Sequence, residues 1–195
     1  MSVRNRIVVF SRFPVAGKAK TRLIPAIGAD AAAALQRDMS GHTLLAARVA
    51  ALHCCADLVV MFKGGSARDM EHWLGRGTLY STPAGPDLGA SMLAGVETAT
   101  SAGREKTVII GSDCPELDTH TLAAAFDALD SHDLVIGPAA DGGYYLIGMR
   151  APHPALFHGI RWGESDVLAE TLKVADAAGL KRHLLPELSD VDLEA

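Results

Sequence analysis

The sequence predicts an α/β protein, a mainly parallel twisted sheet with helices on both faces. Two observations predict it. Short runs rich in β-branched residues recur along the chain, and each is followed by a longer segment with helical spacing. The strand runs are apolar on both alternations, as strands covered on both faces require.

RIVVF (6–10) is the first such run and reads as a buried strand. GADAAAALQRDMSGHTLLAARVAAL (28–52) follows as a long helix. Leu35, Met39, Leu45, Val49 and Leu52 mark its expected apolar face, and Gly41 is its weak point. DLVVMF (57–62) is a second strand, and SARDMEHWL (66–74) a short helix capped by Ser66. TLYST (78–82) is a brief strand. The turn residues of PAGPDLGAS lead into a helix from Leu88 to about Thr100. KTVIIG (106–111) is a strand, and Asp118 or Thr119 caps the helix TLAAAFDAL. DLVIGPA (133–139) and YYLIGM (144–149) are strands joined by the turn DGG. SDVLAETLKVADAAGL (165–180) is a helix closed by Gly179, and KRHLL (181–185) a late strand. No repeat or linker interrupts the order, so the 195 residues are expected to form one domain, 1–195.

Composition narrows the function. Hydrophobic residues make up 49%, enough for a sizeable core, and the net charge of −5 argues against a nucleic-acid coat. No apolar run approaches the roughly 20 residues that span a bilayer, so no membrane partner is expected. Three cysteines without a CxxC pair argue against a disulfide framework, and the expected setting is a reducing cytoplasm. The eight histidines are scattered without metal-ligand spacing.

Against that acidic background, SRFPVAGKAKTRL gathers Arg12, Lys18, Lys20 and Arg22 directly after the first strand. Held together without an anion, such cations repel; two of them ~4 Å apart differ by roughly 4 kcal/mol at an effective dielectric of ~20. A polyphosphate would remove the repulsion and accept charge-assisted hydrogen bonds. The alternation Lys18, Lys20, Arg22 would set three cations on one side of an extended loop. Gly17 permits close approach of backbone to ligand. The competing reading is a solvated loop. The spacing fits neither a Walker A loop nor GxGxxG.

Two further segments sit past strand ends, where open α/β sheets bind ligands. In VIIGSDCPEL, Asp113 is placed to hold a hard cation, or else to make a turn. In DGGYYLIG, paired glycines allow a tight turn or close ligand approach. The acidic tail SDVDLEA adds Asp190 and Asp192, of a kind that is ordinarily solvated.

Taken in order, F-x-R-x-P-x-x-G-x-x-K-T-R-L, D-L-G-x-x-M, G-S-D-C-P and D-G-G-Y-Y-L-I-G resemble the nucleotide-diphospho-sugar transferase superfamily. The nearest group is a bacterial, cytoplasmic, glycosyltransferase-like family related to 2-phospholactate guanylyltransferases and, more distantly, to molybdenum-cofactor guanylyltransferases. The resemblance implies a Rossmann-like glycosyltransferase A fold. It implies that Arg12, Lys18, Lys20 and Arg22 face nucleotide phosphates, and that Asp113 binds magnesium (or manganese), with Asp192 a second ligand. Leu88, Gly89 and Met92 match a segment near the nucleobase. Asp141, Gly142 and Gly143 match one near the acceptor or the sugar. Two departures stand out: Trp162-Gly163-Glu164 where such families often carry W-S-T, and a tail lacking their D-T-P-x-D-L finish.

The expected reaction is nucleotidyl transfer from a nucleoside triphosphate to a small anionic acceptor, with release of pyrophosphate. Lys20, Arg22 and Asp113 are its expected catalytic residues. Glycosyl transfer from a nucleotide sugar is the alternative, with Asp141 the candidate base for a neutral acceptor. A non-catalytic nucleotide sensor is a third reading. Base, acceptor and oligomeric state have no signature in the sequence.

Overall fold

The computed structural model describes residues 3–191. Seven strands form one sheet: β1 (Asn5–Arg12), β2 (Ala56–Lys63), β3 (Leu79–Ser81), β4 (Lys106–Ile110), β5 (Leu134–Pro138), β6 (Tyr144–Met149) and β7 (Arg182–Leu184), in the order β3-β2-β1-β4-β6-β5-β7. Strand β6 runs antiparallel to both neighbours, and every other pairing is parallel. Six helices connect them: α1 (Ile24–Ile27), α2 (Ala29–His53), α3 (Ala67–Leu74), α4 (Leu88–Ser101), α5 (Thr119–Ala128) and α6 (Val167–Ala177). None is long and apolar enough to cross a membrane.

Alternate strand residues feed two cores. Ile7, Val9, Val60 and Val108 pack under α2, α3 and α5, while Val8, Val59, Ile109 and Ile136 pack under α4 and α6. That is the period-two consequence of helices on both faces. The expected caps at Ser66 and Asp118 are present, and Asp87 adds a third at the start of α4. Ser66 and Asp69 form a capping box on α3, and the carboxylates of Asp87 and Asp118 accept from Ala90 N and Thr121 N at the starts of α4 and α5.

Helix α2 corrects one expectation. Leu45 and Leu52 are 63% and 80% exposed, and the buried face is Ala32, Ala33, Gln36, Met39, Ser40, Thr43, Leu44, Ala46, Ala47, Ala50 and Ala51. A face rich in small residues lets the helix lie close to the sheet and to α5, so the alanines turn inward with Met39 and Leu44 while Leu45 and Leu52 turn out. Gly41 does not break the helix.

The chain leaves β1 toward β2 on one side and reaches β4 on the other. Connections thus diverge beyond the carboxyl ends of β1 and β4, opening the crevice where doubly wound sheets bind ligands.

Candidate active site

Two adjoining cavities occupy this crevice. The first, about 490 Å³, is lined by Arg12, Lys18, Lys20, Thr21 and Arg22 from the loop after β1, by Lys63 from the end of β2, and by Gln36, Pro83, Leu88, Ser112 and Asp113. The second, about 320 Å³, has Leu88, Met92, Cys114, Tyr144 and Trp162 among its walls, with Asp113, Asp141, Glu164 and Asp190 as its charged residues. Phe10, Leu88, Gly111 and Asp113 belong to both, so Asp113 stands on the seam.

The four cations of the first loop share one cavity, but alternation does not put them there. The loop is compact. Lys18 N and Ala19 N both donate to Val15 O, Lys20 adopts a left-handed conformation (φ 43), and Thr21–Leu23 form a 3-10 turn. Gly17 makes the turn before Lys18 without lining the cavity. The Lys20 side chain is 2% exposed, and its Nζ donates to Asp113 Oδ1 at 2.8 Å and to Val191 O at 2.6 Å. Asp113 remains 46% exposed, and its Oδ2 accepts no hydrogen bond among the described residues. Val191 N donates to Asp113 O at 2.9 Å, so the carboxyl-terminal segment returns to the β4 end. Asp192 itself lies outside the described residues.

The glycine motifs divide between lining and packing. A Cβ on Gly89 would come within 2.6 Å of Phe157 O and Trp162 Nε1, so this glycine lets Trp162 seat on the first turn of α4. Leu88 lines both cavities, and Met92 only the second. Gly142 has φ +88, and a Cβ there would meet Ser165 O at 2.0 Å. It packs against the segment before α6, and its own carbonyl accepts from Leu168 N at 2.9 Å. Asp141 Oδ1 accepts from Gly143 N at 2.8 Å, closing the turn, and both residues line the second cavity.

In the second cavity, burial first and then the charges of Asp190, Asp113, Asp141 and Glu116 push the Cys114 thiol up to about 12, so it stays protonated. Burial also raises the Tyr144 hydroxyl, whose ring meets Trp162 edge-on at 6.3 Å.

A family model described as "uncharacterized protein conserved in bacteria (DUF2064)" matches residues 45–164. The chain belongs to this family. The DUF2064 chain is 35% identical to a proposed nucleotide-diphospho-sugar transferase of Desulfovibrio desulfuricans G20. That alignment covers 99% of this chain and 84% of the other at a TM-score of 0.88, and it extends the membership to the nucleotide-diphospho-sugar transferase superfamily. Fold alone is shared with two more distant structures. Rv0371c of Mycobacterium tuberculosis H37Rv, crystallised in complex with manganese, is 18% identical at a TM-score of 0.57, with 98% and 94% of the two chains covered. The inositol-1-phosphate CTP transferase of T. maritima is 14% identical at a TM-score of 0.56, covering 99% and 91%. Proteins of curated function gave no match.

Sequence reasoning missed four contributors. Lys63 carries the same signal as the basic loop, a cation closing an apolar strand. Trp162 sits inside a segment read only as a departure from W-S-T. Gln36 is a buried polar residue with no local signature, and buried Ser112 lies inside the G-S-D-C-P motif, where only Asp113 is assigned a role.

Proposed function

We propose that this protein is a magnesium-dependent nucleotidyltransferase. The carrying observation is the cavity in which Arg12, Lys18, Lys20, Arg22 and Lys63 converge beside one half-exposed carboxylate. Five cations around about 490 Å³ match the charge of a triphosphate far better than that of a neutral ligand.

The donor set at Asp113 suits magnesium. Lys20 takes one carboxylate oxygen and leaves the other open, and no three His, Cys, Asp or Glu among the described residues converge on a metal. A cation held by one carboxylate, phosphate oxygens and water is the habit of magnesium. When bound, magnesium supplies charge neutralisation on the transferring phosphoryl group.

The chain's own groups do the rest. Lys20 and Arg22 hold the β- and γ-phosphates and stabilise charge on the departing pyrophosphate. An acceptor oxygen in the second cavity attacks the α-phosphorus in line. The new bond joins that oxygen to phosphorus, and the bond to the β-phosphate oxygen breaks. The charged residues of the second cavity are all carboxylates, which favours a neutral hydroxyl over the expected anionic acceptor, with Asp141 taking the hydroxyl proton as the oxygen attacks. The same observation favours a second reading, glycosyl transfer, with the sugar of a nucleotide sugar against Trp162 and Asp141 as base.

The two reactions release different products. Incubation with each nucleoside triphosphate, magnesium and a panel of sugars and polyols should release pyrophosphate. Nucleoside diphosphate released from nucleotide sugars instead would support the second reading. Asp113→Asn should lower turnover on the order of a hundredfold or more, a loss that persists at temperatures where melting curves show the variant fully folded. Wild-type turnover in that variant would remove Asp113 from the chemistry.

A further inference from the structure

We propose that the Gln36 carboxamide is a ligand-binding group of the basic cavity, donating its NH2 to phosphate oxygens held there. The inference rests on the phosphate reading of that cavity and adds to it a neutral donor on a different element, helix α2.

Gln36 lines the cavity yet is only 4% exposed. Its Nε2 donates to Ser40 Oγ at 2.9 Å and to Ser112 Oγ at 3.3 Å. Ser40 Oγ in turn shares a hydrogen bond with Ser11 Oγ at 2.9 Å. These residues tie the ends of β1 and β4 to α2 beneath the crevice. The amide oxygen accepts no hydrogen bond among the described residues. The residue lines the cavity, and its amide oxygen is not among the buried unpaired atoms of the described residues, so the free half of the amide is open to water or to a ligand.

The partners of Gln36 decide what it can offer. Both are hydroxyls, and a hydroxyl donates as readily as it accepts. The amide can turn over without losing a bond: Ser40 and Ser112 then donate to its oxygen, and Ser40 accepts from Ser11. The turned amide presents NH2 to the cavity. Phosphate oxygens only accept, so an anion drawn in by Arg12, Lys18, Lys20, Arg22 and Lys63 selects that orientation. The amide also gives a donor without adding a sixth positive charge to a crowded set.

The test compares Gln36→Glu and Gln36→Met with the wild type, using inorganic pyrophosphate as the probe in calorimetric titrations with and without magnesium. Glutamate can still accept from both serines but cannot donate in its ionised form. Methionine fills the space and does neither. Affinity should fall about tenfold in Gln36→Met and further in Gln36→Glu. Melting curves choose a temperature at which each variant is folded. Affinity in Gln36→Met within about twofold of wild type, whatever its melting temperature, overturns the inference and makes Gln36 a spacer. Wild-type protein that fails to bind pyrophosphate overturns the phosphate reading itself, and this inference with it.

Discussion

Asp57 and Asp113 both neutralise buried cations, at opposite ends of the sheet. Asp57, at the amino-terminal end of β2, is gripped by two arginines. Arg6 bonds both its oxygens at 2.8 Å, and Arg104 adds contacts at 2.9 and 3.1 Å. Asp113, at the carboxyl-terminal end of β4, meets a single lysine on a single oxygen and stays 46% exposed. The first site is closed and uses planar, bidentate geometry, which suits permanent pairing. The second uses a compact point charge and leaves an oxygen toward the crevice. One carboxylate is spent on holding strands together, and the other keeps coordination for a ligand.

The contrast can be broken first at its closed end. Asp57→Asn leaves two arginines facing a neutral group. It should cost about 3 kcal/mol, a fall in melting temperature of roughly 6–12 °C, with pyrophosphate affinity unchanged by calorimetry. At the open end the balance reverses. Lys20→Met should weaken pyrophosphate binding about 10–100-fold, the scale of one charged hydrogen bond, and shift melting far less because Asp113 can hydrate. Equal thermal losses in the two variants would erase the distinction.

Acid sharpens the comparison further, with a smaller effect. Burial pushes the Asp57 carboxyl up, but hydrogen bonds from Arg6 and Arg104 outweigh it and hold it below its ordinary value. A depressed carboxyl contributes stability that is complete above its unfolded value of about 3.9 and is lost as pH falls through the folded value. Urea midpoints measured between about pH 2 and 6 should fall more steeply on the acid side in wild type than in Asp57→Asn. Parallel curves would mean that Asp57 is not the group responsible.

Much of the architecture is legible in the sequence because the signals are local. β-branched runs announce β1, β2 and β4, and Ser66 and Asp118 cap helices through their own side chains. The inward face of α2 is not legible from spacing, which weighs large apolar residues, whereas close packing on a sheet favours alanine. The basic cluster is visible as composition and its shape is not, since the Lys20 side chain is aimed at a partner 93 positions away. Gln36 was invisible for the same reason. A helical glutamine reads as solvent-facing until serines from two strand ends are found around it.

The left-handed backbone of Lys20 has one more consequence. A lysine in that conformation is strained by roughly 1 kcal/mol where a glycine would be at ease. Glycine would relax the bend and forfeit the ammonium. The chain instead tolerates a local distortion in its first loop to aim one charged tip beneath it, much as a bent stem is accepted to point a single thorn.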